Sequence, residues 1–316
     1  MSHRLKTCGA AAVLLLLLTL LSSCGQPTVP DETATDYNQY IPSHGVTAYT
    51  KDLYIFFDSG RLFYVGRSQP SQLFPLCFQA DCDHKNSSCT AWLNTPSRSI
   101  YAAGDNLYYI DADKDAKPAL YRMDLSGGGR ELVKSLNILN EESWPGISSL
   151  GYSFRVYGSY LAIELNLLQE DSWQHKIYLT GIDSKDEGVF LFGEEGDSDK
   201  SYIAIEFREN WLFVTEKNAA DGTNTLWGYN FTTQEAVPLV EGWDISNCFT
   251  VQDGILYWAV TGDGVYSMDM EKKSVTKHRS FDPVSEYGAA AYDDQYLYLT
   301  NAIRYMDSQG TVPAEE

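Results

Sequence analysis

Four side chains that commonly bind metals stand close together in the segment CFQADCDHKNSSC, which covers residues 77–89. They are Cys77, Cys82, His84 and Cys89, in the spacing C-x4-C-x-H-x4-C. Three thiolates and one imidazole can surround zinc as a tetrahedral Cys3His site, which leaves no coordination position for a substrate. The segment therefore predicts a structural metal site, with zinc as the expected ion.

The same three cysteines could instead form a disulfide, because thiols tend to pair outside the cytoplasm. Together with Cys248 they make four cysteines, which allow three pairings. Cys248 lies in a predicted inner strand and is expected to be a small core residue. One disulfide within the segment would leave a thiol over, whereas a metal site would use all three thiols and His84. Both interpretations stay open from the sequence.

The N-terminal residues have the features of an export signal. Arg4 and Lys6 form a short basic region, and the apolar run from Gly9 to Leu21 is too short to cross a bilayer as a helix. The run ends in LSSCG, which resembles the lipobox of bacterial lipoproteins and places its cysteine at Cys24. That resemblance implies cleavage before Cys24 and acyl chains on this residue, which suffice for stable membrane anchoring.

Three regions are expected along the chain: a lipoprotein signal peptide at residues 1–23, a flexible tether at 24–36 and a folded domain at 37–316. The tether is polar and contains proline, so it should hold the domain away from the lipid surface. The expected location is outside the cytoplasm, with Cys24 anchoring the protein to the bacterial membrane or cell surface.

The charge of the chain is strongly unbalanced. It has 23 Lys and Arg residues against 43 Asp and Glu residues, which gives a net charge of −20. A chain this acidic is repelled by phosphate backbones, so nucleic acid is not an expected partner. The simplest use of the charge is solubility.

One strand pattern occurs six times in the folded region. A strand of the form Leu-Tyr-aromatic, or a close variant, begins at Leu53, Leu107, Leu161, Leu212, Leu256 and Leu297, at intervals of 41 to 54 residues. A second strand follows each of these, another strand precedes it, and a fourth often follows. Four short strands repeated at this interval are typical of propeller blades. The sequence predicts an all-β fold, a β-propeller of about six four-stranded blades.

The innermost strand of each blade is expected just before the repeated one, at Val46–Tyr49, Ser99–Ala102, Phe154–Tyr157, Tyr202–Phe207, Cys248–Val251 and Ala289–Tyr292. The sixth repeat has little sequence left for a fourth strand, and an open blade would leave an exposed edge. We therefore expect Tyr37–Ile41 to supply that outer strand and close the ring. An open or truncated disc is the alternative.

Two repeats resemble a known blade type. Ile255–Trp258 followed by Val265–Asp269 resembles the YWTD blade of low-density-lipoprotein-receptor propellers, and Leu107–Asp111 with Leu120–Asp124 is similar. Bacterial lipoproteins of unknown function with this blade type are similar over about residues 45–310. They carry a comparable cysteine and histidine run after their first blade, which Asp81 also matches. The third repeat departs most from the pattern.

Other polar and aromatic residues give weaker indications. The segment Asp111–Asp115 begins like a calcium loop but lacks the glycine and the final acid that such a loop needs, so a solvated hairpin is expected. The isolated histidines are expected at the surface or in ordinary hydrogen bonds; they are His44, His175 and His278. Three tryptophans in predicted loops could stack on a sugar or peptide, or pack between blades; they are Trp92, Trp144 and Trp173.

The sequence supports two functions of different kinds. The first is a surface binding or scaffolding module for a peptide, glycan or protein, because propellers present loops from every blade on one face. The second is an extracellular glycosidase or lyase with carboxylates in the central funnel. Acids with raised pKa values in the funnel would favour the enzyme, whereas exposed tryptophan and tyrosine would favour binding.

Overall fold

The computed structural model describes residues 47–94, 99–169, 172–185, 187–193, 199–242, 249–260, 263–280, 287–288 and 300–301. Their regular structure is β-strand, apart from two single-turn 3₁₀ segments at Asn137–Leu139 and Glu141–Ser143. Among these residues, no helix has the length and apolar character needed to span a membrane. The prediction of an all-β protein is confirmed.

Twenty of the strands form five four-stranded antiparallel sheets, and each sheet follows the chain order from its first strand to its fourth. The first sheet contains β1 (Thr47–Tyr49), β2 (Leu53–Asp58), β3 (Arg61–Gly66) and β4 (Gln69–Pro75). The second contains β5 (Ile100–Ala103), β6 (Asn106–Ala112), β7 (Pro118–Asp124) and β8 (Glu131–Ser135). The third contains β9 (Ile147–Tyr157), β10 (Tyr160–Gln169), β11 (Ser172–Gly181) and β12 (Val189–Phe192).

The fourth sheet contains β13 (Lys200–Arg208), β14 (Trp211–Asn218), β15 (Asn224–Asn230) and β16 (Glu235–Glu241). The fifth contains β17 (Phe249–Gln252), β18 (Ile255–Val260), β19 (Gly264–Asp269) and β20 (Ser274–Ser280). A two-stranded pair, β21 (Tyr287–Gly288) and β22 (Thr300–Asn301), follows in the sixth repeat.

Consecutive sheets pack against each other through four apolar clusters, one at each junction. The first strands of neighbouring sheets are in contact from β1 to β5, from β5 to β9 and from β9 to β13. Four-stranded meanders that share their faces and bring their first strands together have the arrangement of successive propeller blades. The number of blades and the closure of the ring remain predictions.

The repeated leucine anchors the second strand of most sheets. Leu107, Leu161, Leu212 and Leu256 are fully buried, and each is the second residue of its strand. The second, third and fourth sheets each have a described sheet on both faces, and their second strands β6, β10 and β14 contain runs of three to five consecutive buried residues. Burial of these residues is the main contribution that holds adjacent blades together.

The expected first strands agree with the structure within a few residues, except in the third sheet. There the sequence placed a strand at Phe154–Tyr157, whereas β9 begins at Ile147. The long partner β10 pairs with β9 from Tyr157 back to Ile147. This pairing extends the strand through residues 147–153, a stretch rich in serine and glycine that the sequence pattern did not assign to a strand. Pro238 lies in β16, an outer strand with one neighbour, as expected for proline.

Several sequence predictions fall outside the described residues. They concern the signal peptide and tether, Cys24, the closing strand Tyr37–Ile41, Cys248, and the strand at Ala289–Tyr292.

Candidate functional site

The structure brings the four predicted metal ligands together. The ligand atoms of Cys77, Cys82, His84 and Cys89 all lie within 4.8 Å of one another. The three thiols are free rather than joined as disulfides. Cys89 is buried, and the other three residues are partly buried. The cluster lies in the connection from β4 to β5, between the first and second sheets.

Leu62 at the start of β3 explains how this connection closes on itself. Its carbonyl accepts a hydrogen bond from the N–H of Leu76 at 2.9 Å, and its own N–H donates to the carbonyl of Ala91 at 2.9 Å. Residues immediately before Cys77 and shortly after Cys89 are therefore tied to a single residue. This clamp fixes the two ends of the loop side by side, which brings its first and last cysteines within reach of each other.

The middle of the loop is held by contacts around His84. His84 has a φ of 55°, a left-handed conformation that is uncommon for a residue with a side chain. Its N–H donates to the Sγ of Cys82 at 3.4 Å, and its carbonyl accepts from Nη1 of Arg61 at 3.2 Å. Its ring atom Nδ1 lies 3.3 Å from the Sγ of Cys89. Outer contacts of this kind orient metal ligands in known sites.

The cysteines differ in how readily they lose a proton. For Cys77, burial is the largest single influence and opposes ionisation, but the Thr90 hydroxyl and the backbone N–H groups of Gln79 and Thr90 together lower its pKa to about 6. Burial raises the pKa of Cys89 to about 12. A metal that binds here would replace the proton on Cys89, as metals do when they bind thiols.

The second sheet contacts the base of the cysteine loop through a glycine turn. Gly127 has a φ of +85°, and a Cβ atom added there would lie 2.4 Å from the carbonyl oxygen of Leu76. Asp124 shapes this turn, because its Oδ1 accepts from the N–H of Ser126 at 3.0 Å and of Gly128 at 2.9 Å. Only glycine fits this approach, so the turn and the loop are packed backbone to backbone.

A buried ion pair fixes the far end of the connection. Asp111, whose side chain is 0% exposed, pairs with Nη2 of Arg130 and accepts a hydrogen bond from the N–H of Asn94 at 3.2 Å. Nη1 of Arg130 donates to the carbonyl of Trp92 at 3.0 Å. The guanidinium carbon lies 5.0 Å from the ring centre of Tyr121. These contacts hold the chain that leads out of the loop containing the three cysteines and His84.

The ion pair corrects part of the hairpin interpretation. The sequence placed Asp111 in a solvated acidic loop, but it is the last buried residue of a strand and its partner is 19 positions away. Asp113 does shape the hairpin, since its Oδ1 accepts from the N–H groups of Asp115 at 2.8 Å and Lys117 at 2.9 Å. The sequence analysis did not identify Arg130 as the partner of Asp111. The three glycines directly before Arg130 were the sequence feature that marked this turn as unusual.

A second candidate site is an open cleft between the third and fourth sheets. It has a volume of about 590 Å³ and is formed by the β10–β11 hairpin, the β14–β15 loop and the start of β13. Its lining is mainly polar, with one large aromatic ring: Trp173, His175, Lys200, Lys217, Asn218 and Asn224 are among its residues. Trp173 is 49% exposed, which is unusual for so large an apolar side chain.

The other tryptophans named from the sequence have packing roles. Nε1 of Trp144 donates to the carbonyl of Ile138 at 2.8 Å, and its ring meets the edge of Phe190. Trp92 is partly buried and forms a single β-bridge with Arg61 at the loop base. Trp173 is therefore the one of the three that presents an open ring.

No family model and no curated protein matches this sequence. Solved structures of similar fold include an oligogalacturonate lyase in complex with manganese, 14% identical over 75% of this chain and 64% of that chain, with a TM-score of 0.44. A putative TolB from Agrobacterium tumefaciens is 14% identical over 74% of this chain and 79% of that chain, with a TM-score of 0.39. A chain of a nidogen/laminin complex is 14% identical over 79% of this chain and 85% of that chain, with a TM-score of 0.39.

This chain thus spans just under two thirds of the oligogalacturonate lyase. All three similarities are too weak to transfer a ligand, a metal or an activity. The arguments below rest on the residues of this chain.

Proposed function

We propose that this protein is an extracytoplasmic bacterial lipoprotein, anchored through Cys24, whose propeller serves as a binding or scaffolding module. The observation that carries the binding role is the open cleft of about 590 Å³ with Trp173 at its wall. Sites for small ligands commonly have this size and are often formed by loops on a rigid scaffold. The ligand class is a peptide, a glycan or a partner protein.

We also propose that Cys77, Cys82, His84 and Cys89 bind one structural zinc ion. Zinc–sulfur bonds of about 2.3 Å place tetrahedral ligands about 3.8 Å apart, so a cluster within 4.8 Å needs only a small contraction. The ion would supply a cross-link between the two arms of the loop. With four protein ligands it would have no open position for catalysis.

The proposed ring has six blades. The pair β21–β22 lies in the sixth repeat, where the sequence predicts the last blade. Tyr37–Ile41 would add the outer strand of that blade, which would leave no unpaired edge at the junction with the first sheet.

The alternative is an extracellular enzyme that uses carboxylates. A glycosidase acid needs a raised pKa so that it carries a proton at neutral pH. The pKa values of Asp124, Asp221, Asp263 and Asp269 are all lowered. Hydrogen bonds within the same turn are the cause for Asp124, Asp221 and Asp269, and hydrogen bonds from Lys277 on β20 and Tyr266 on β19 are the cause for Asp263. Those environments suit turn-forming residues better than a general acid, which favours the binding module.

Lipid labelling tests the anchoring proposal. The full chain is expressed in a bacterium with an alkyne-tagged fatty acid, and the protein is followed by detergent phase partition. We expect the wild-type chain to be labelled and to enter the detergent phase, and Cys24→Ser to lose both properties. Cys8→Ser is the matched control and should behave as wild type. Labelling that survives Cys24→Ser would overturn the anchor.

A thermal-shift screen tests the binding module on the full chain purified in detergent. Ligands that bind the folded state raise the melting temperature, by an amount that grows with the logarithm of ligand concentration relative to Kd. Separate pools of oligosaccharides and of short peptides are the probes. A shift with at least one pool that disappears in Trp173→Ala supports a binding role for the cleft, and no shift with either pool would contradict it.

A further inference from the structure

The hairpin that carries Trp173 is longer than its counterparts in the other sheets. Measured from the shared leucine, β10 runs eight residues from Leu161 to Gln169. The matching strands continue for four to six residues past Leu53, Leu107, Leu212 and Leu256. At about 3.3 Å per residue, the third sheet extends about 7–13 Å further at this end. The extra length raises one wall beside the β14–β15 loop and so creates the cleft.

The hairpin end is braced by side-chain hydrogen bonds. Nε2 of Gln169 donates to the carbonyl of Pro145 at 3.2 Å, and Nε2 of Gln174 donates to Oε1 of Gln169 at 3.1 Å. The hydroxyl of Ser148 donates to the carbonyl of Leu168 at 3.2 Å. Trp173 is therefore carried on a backbone that is already ordered, which lowers the entropy cost of binding.

The wall opposite Trp173 offers short polar side chains. Oδ1 of Asn218 accepts a hydrogen bond from the N–H of Ala220 at 2.9 Å. This bond uses the oxygen of the amide and leaves its NH2 group to donate to a ligand. Asn224 and Ser201 line the same wall. His175 lies beside Trp173 instead, two residues along β11 on the same wall. Its Nδ1 is buried with no hydrogen-bond partner among the described residues, and burial lowers the pKa of this histidine, which favours the neutral imidazole.

The charges around the cleft nearly balance. Lys200 is paired with Glu216 at 3.3 Å, and Lys217 and Asp199 contribute one charge of each sign to the lining. The chain as a whole has a net charge of −20, which repels polyanions. A ligand with many negative charges is therefore disfavoured by the net charge of the chain, and the balanced cleft has no large excess of positive charge to offset that repulsion.

We propose that this cleft binds a neutral oligosaccharide, an inference that rests on the binding function proposed above and names its ligand. A pyranose ring has an apolar face of C–H groups that stacks on an indole ring such as Trp173. Its hydroxyl groups are both donors and acceptors, which matches the amides and hydroxyl of Asn218, Asn224 and Ser201 on the other wall and the neutral imidazole beside Trp173. A peptide would need apolar sockets for its side chains, and the described lining provides a single aromatic ring.

Affinity electrophoresis and calorimetry on the full chain test this proposal. The probes are neutral hexasaccharides of cellulose, xylan, mannan, chitin, laminarin and amylose types. We expect at least one of them to bind, and Trp173→Ala to weaken that binding about tenfold or more. Trp173→Tyr should keep most of the affinity, and Asn218→Ala should weaken it by a smaller factor. Phe74→Ala, which removes an exposed ring from the first sheet, is the control and should bind as wild type.

Three outcomes would overturn the sugar assignment. These are failure of every hexasaccharide to bind, binding that is unchanged in Trp173→Ala, or a peptide that binds through Trp173 in place of sugars. The last outcome would leave the binding module intact. Failure of both sugars and peptides in the same protein preparation, with a normal melting curve, would count against the binding module itself.

Discussion

The imidazole Nδ1 of His84, in the middle of the loop, lies 3.3 Å from the Sγ of Cys89 at the end of the loop. The contact depends on the left-handed backbone at His84 and on the clamp at Leu62, which brings the arms together. Both atoms are expected ligands of the same ion. The relationship is specific enough to be tested in several independent ways.

The first prediction concerns metal content. The full chain, purified with a thiol reductant, should contain one zinc ion per molecule when measured by mass spectrometry of the metal. Cys82→Ser and His84→Ala should each reduce that content and lower the melting temperature by about 5–10 °C. Asp83→Asn is the matched control, because Asp83 lies in the same loop outside the ligand set. A second preparation made without reductant that contains no metal and has two of the three thiols at Cys77, Cys82 and Cys89 oxidised would establish the disulfide alternative instead.

The second prediction concerns the buried pair Asp111–Arg130. Arg130→Met should lower the free energy of unfolding by about 3–5 kcal/mol, because it leaves the carboxylate of Asp111 buried without its main counterion. The double variant Asp111→Leu, Arg130→Met should recover a large part of that loss. Urea unfolding of the two single variants and the double variant gives the coupling energy.

The exposed pair Arg122–Glu131 is the control for this cycle. Arg122→Met should change stability by less than about 1 kcal/mol, since exposed ion pairs contribute little. If Arg122→Met and Arg130→Met lower the free energy of unfolding equally, burial of Asp111 does not make its ion pair more important for stability than an exposed pair.

The third prediction concerns the contact between Gly127 and the cysteine loop. Gly127→Ala should destabilise the protein and reduce its zinc content, because the new Cβ would meet the carbonyl of Leu76 at 2.4 Å. Gly104→Ala also places alanine on a left-handed backbone, with a φ of +56°, but its Cβ would meet nothing within 4 Å. The difference between the two variants in melting temperature and zinc content isolates the contact. If both variants retain the wild-type zinc content, the backbone contact is not needed for the metal site.

The fourth prediction concerns pH and Asp124. Hydrogen bonds from Ser126 and Gly128 hold the pKa of Asp124 below its usual value of 3.8. A lowered folded-state pKa means that the stabilising effect is present above about pH 4 and is lost as the pH falls through the folded value. Asp124→Ala should therefore be less stable than wild type at pH 7, by about 1 kcal/mol, with a smaller difference at pH 3.

Asp115→Ala, on an exposed hairpin of the same sheet, is the matched variant for the pH series. Its difference from wild type should be small at both values. A difference between Asp124→Ala and wild type that stays constant from pH 7 to pH 3 would assign its effect to packing of the turn.

The sequence was informative where the chemistry is local or repeated. The four ligands of the metal cluster fall within thirteen residues, so their types and spacing could be recognised without a fold. The leucine near the start of the second strand repeats because four of the five described sheets bury it completely, at Leu107, Leu161, Leu212 and Leu256. These two features predicted the cluster, its place after the first sheet, and the four-stranded units.

Features that depend on distant partners could not be read in this way. Asp111 looked like one acid among several until its pairing with Arg130 was known. The extended β9 strand begins in a polar stretch that only the partner β10 draws into the sheet. The cleft beside Trp173 arises from the unequal lengths of two neighbouring sheets, a difference that no single segment encodes.

The clamp at Leu62 also orders events during folding. Because a chain is synthesised from its N-terminus, β3 is made before Ala91, and Cys77 before Cys89. Until Ala91 reaches the N–H of Leu62, the two arms of the loop are separate and the four ligands have no common centre. The ion would thus bind only after β3 has formed and Ala91 has paired with Leu62. The second sheet could then pack against a cysteine loop that is already folded.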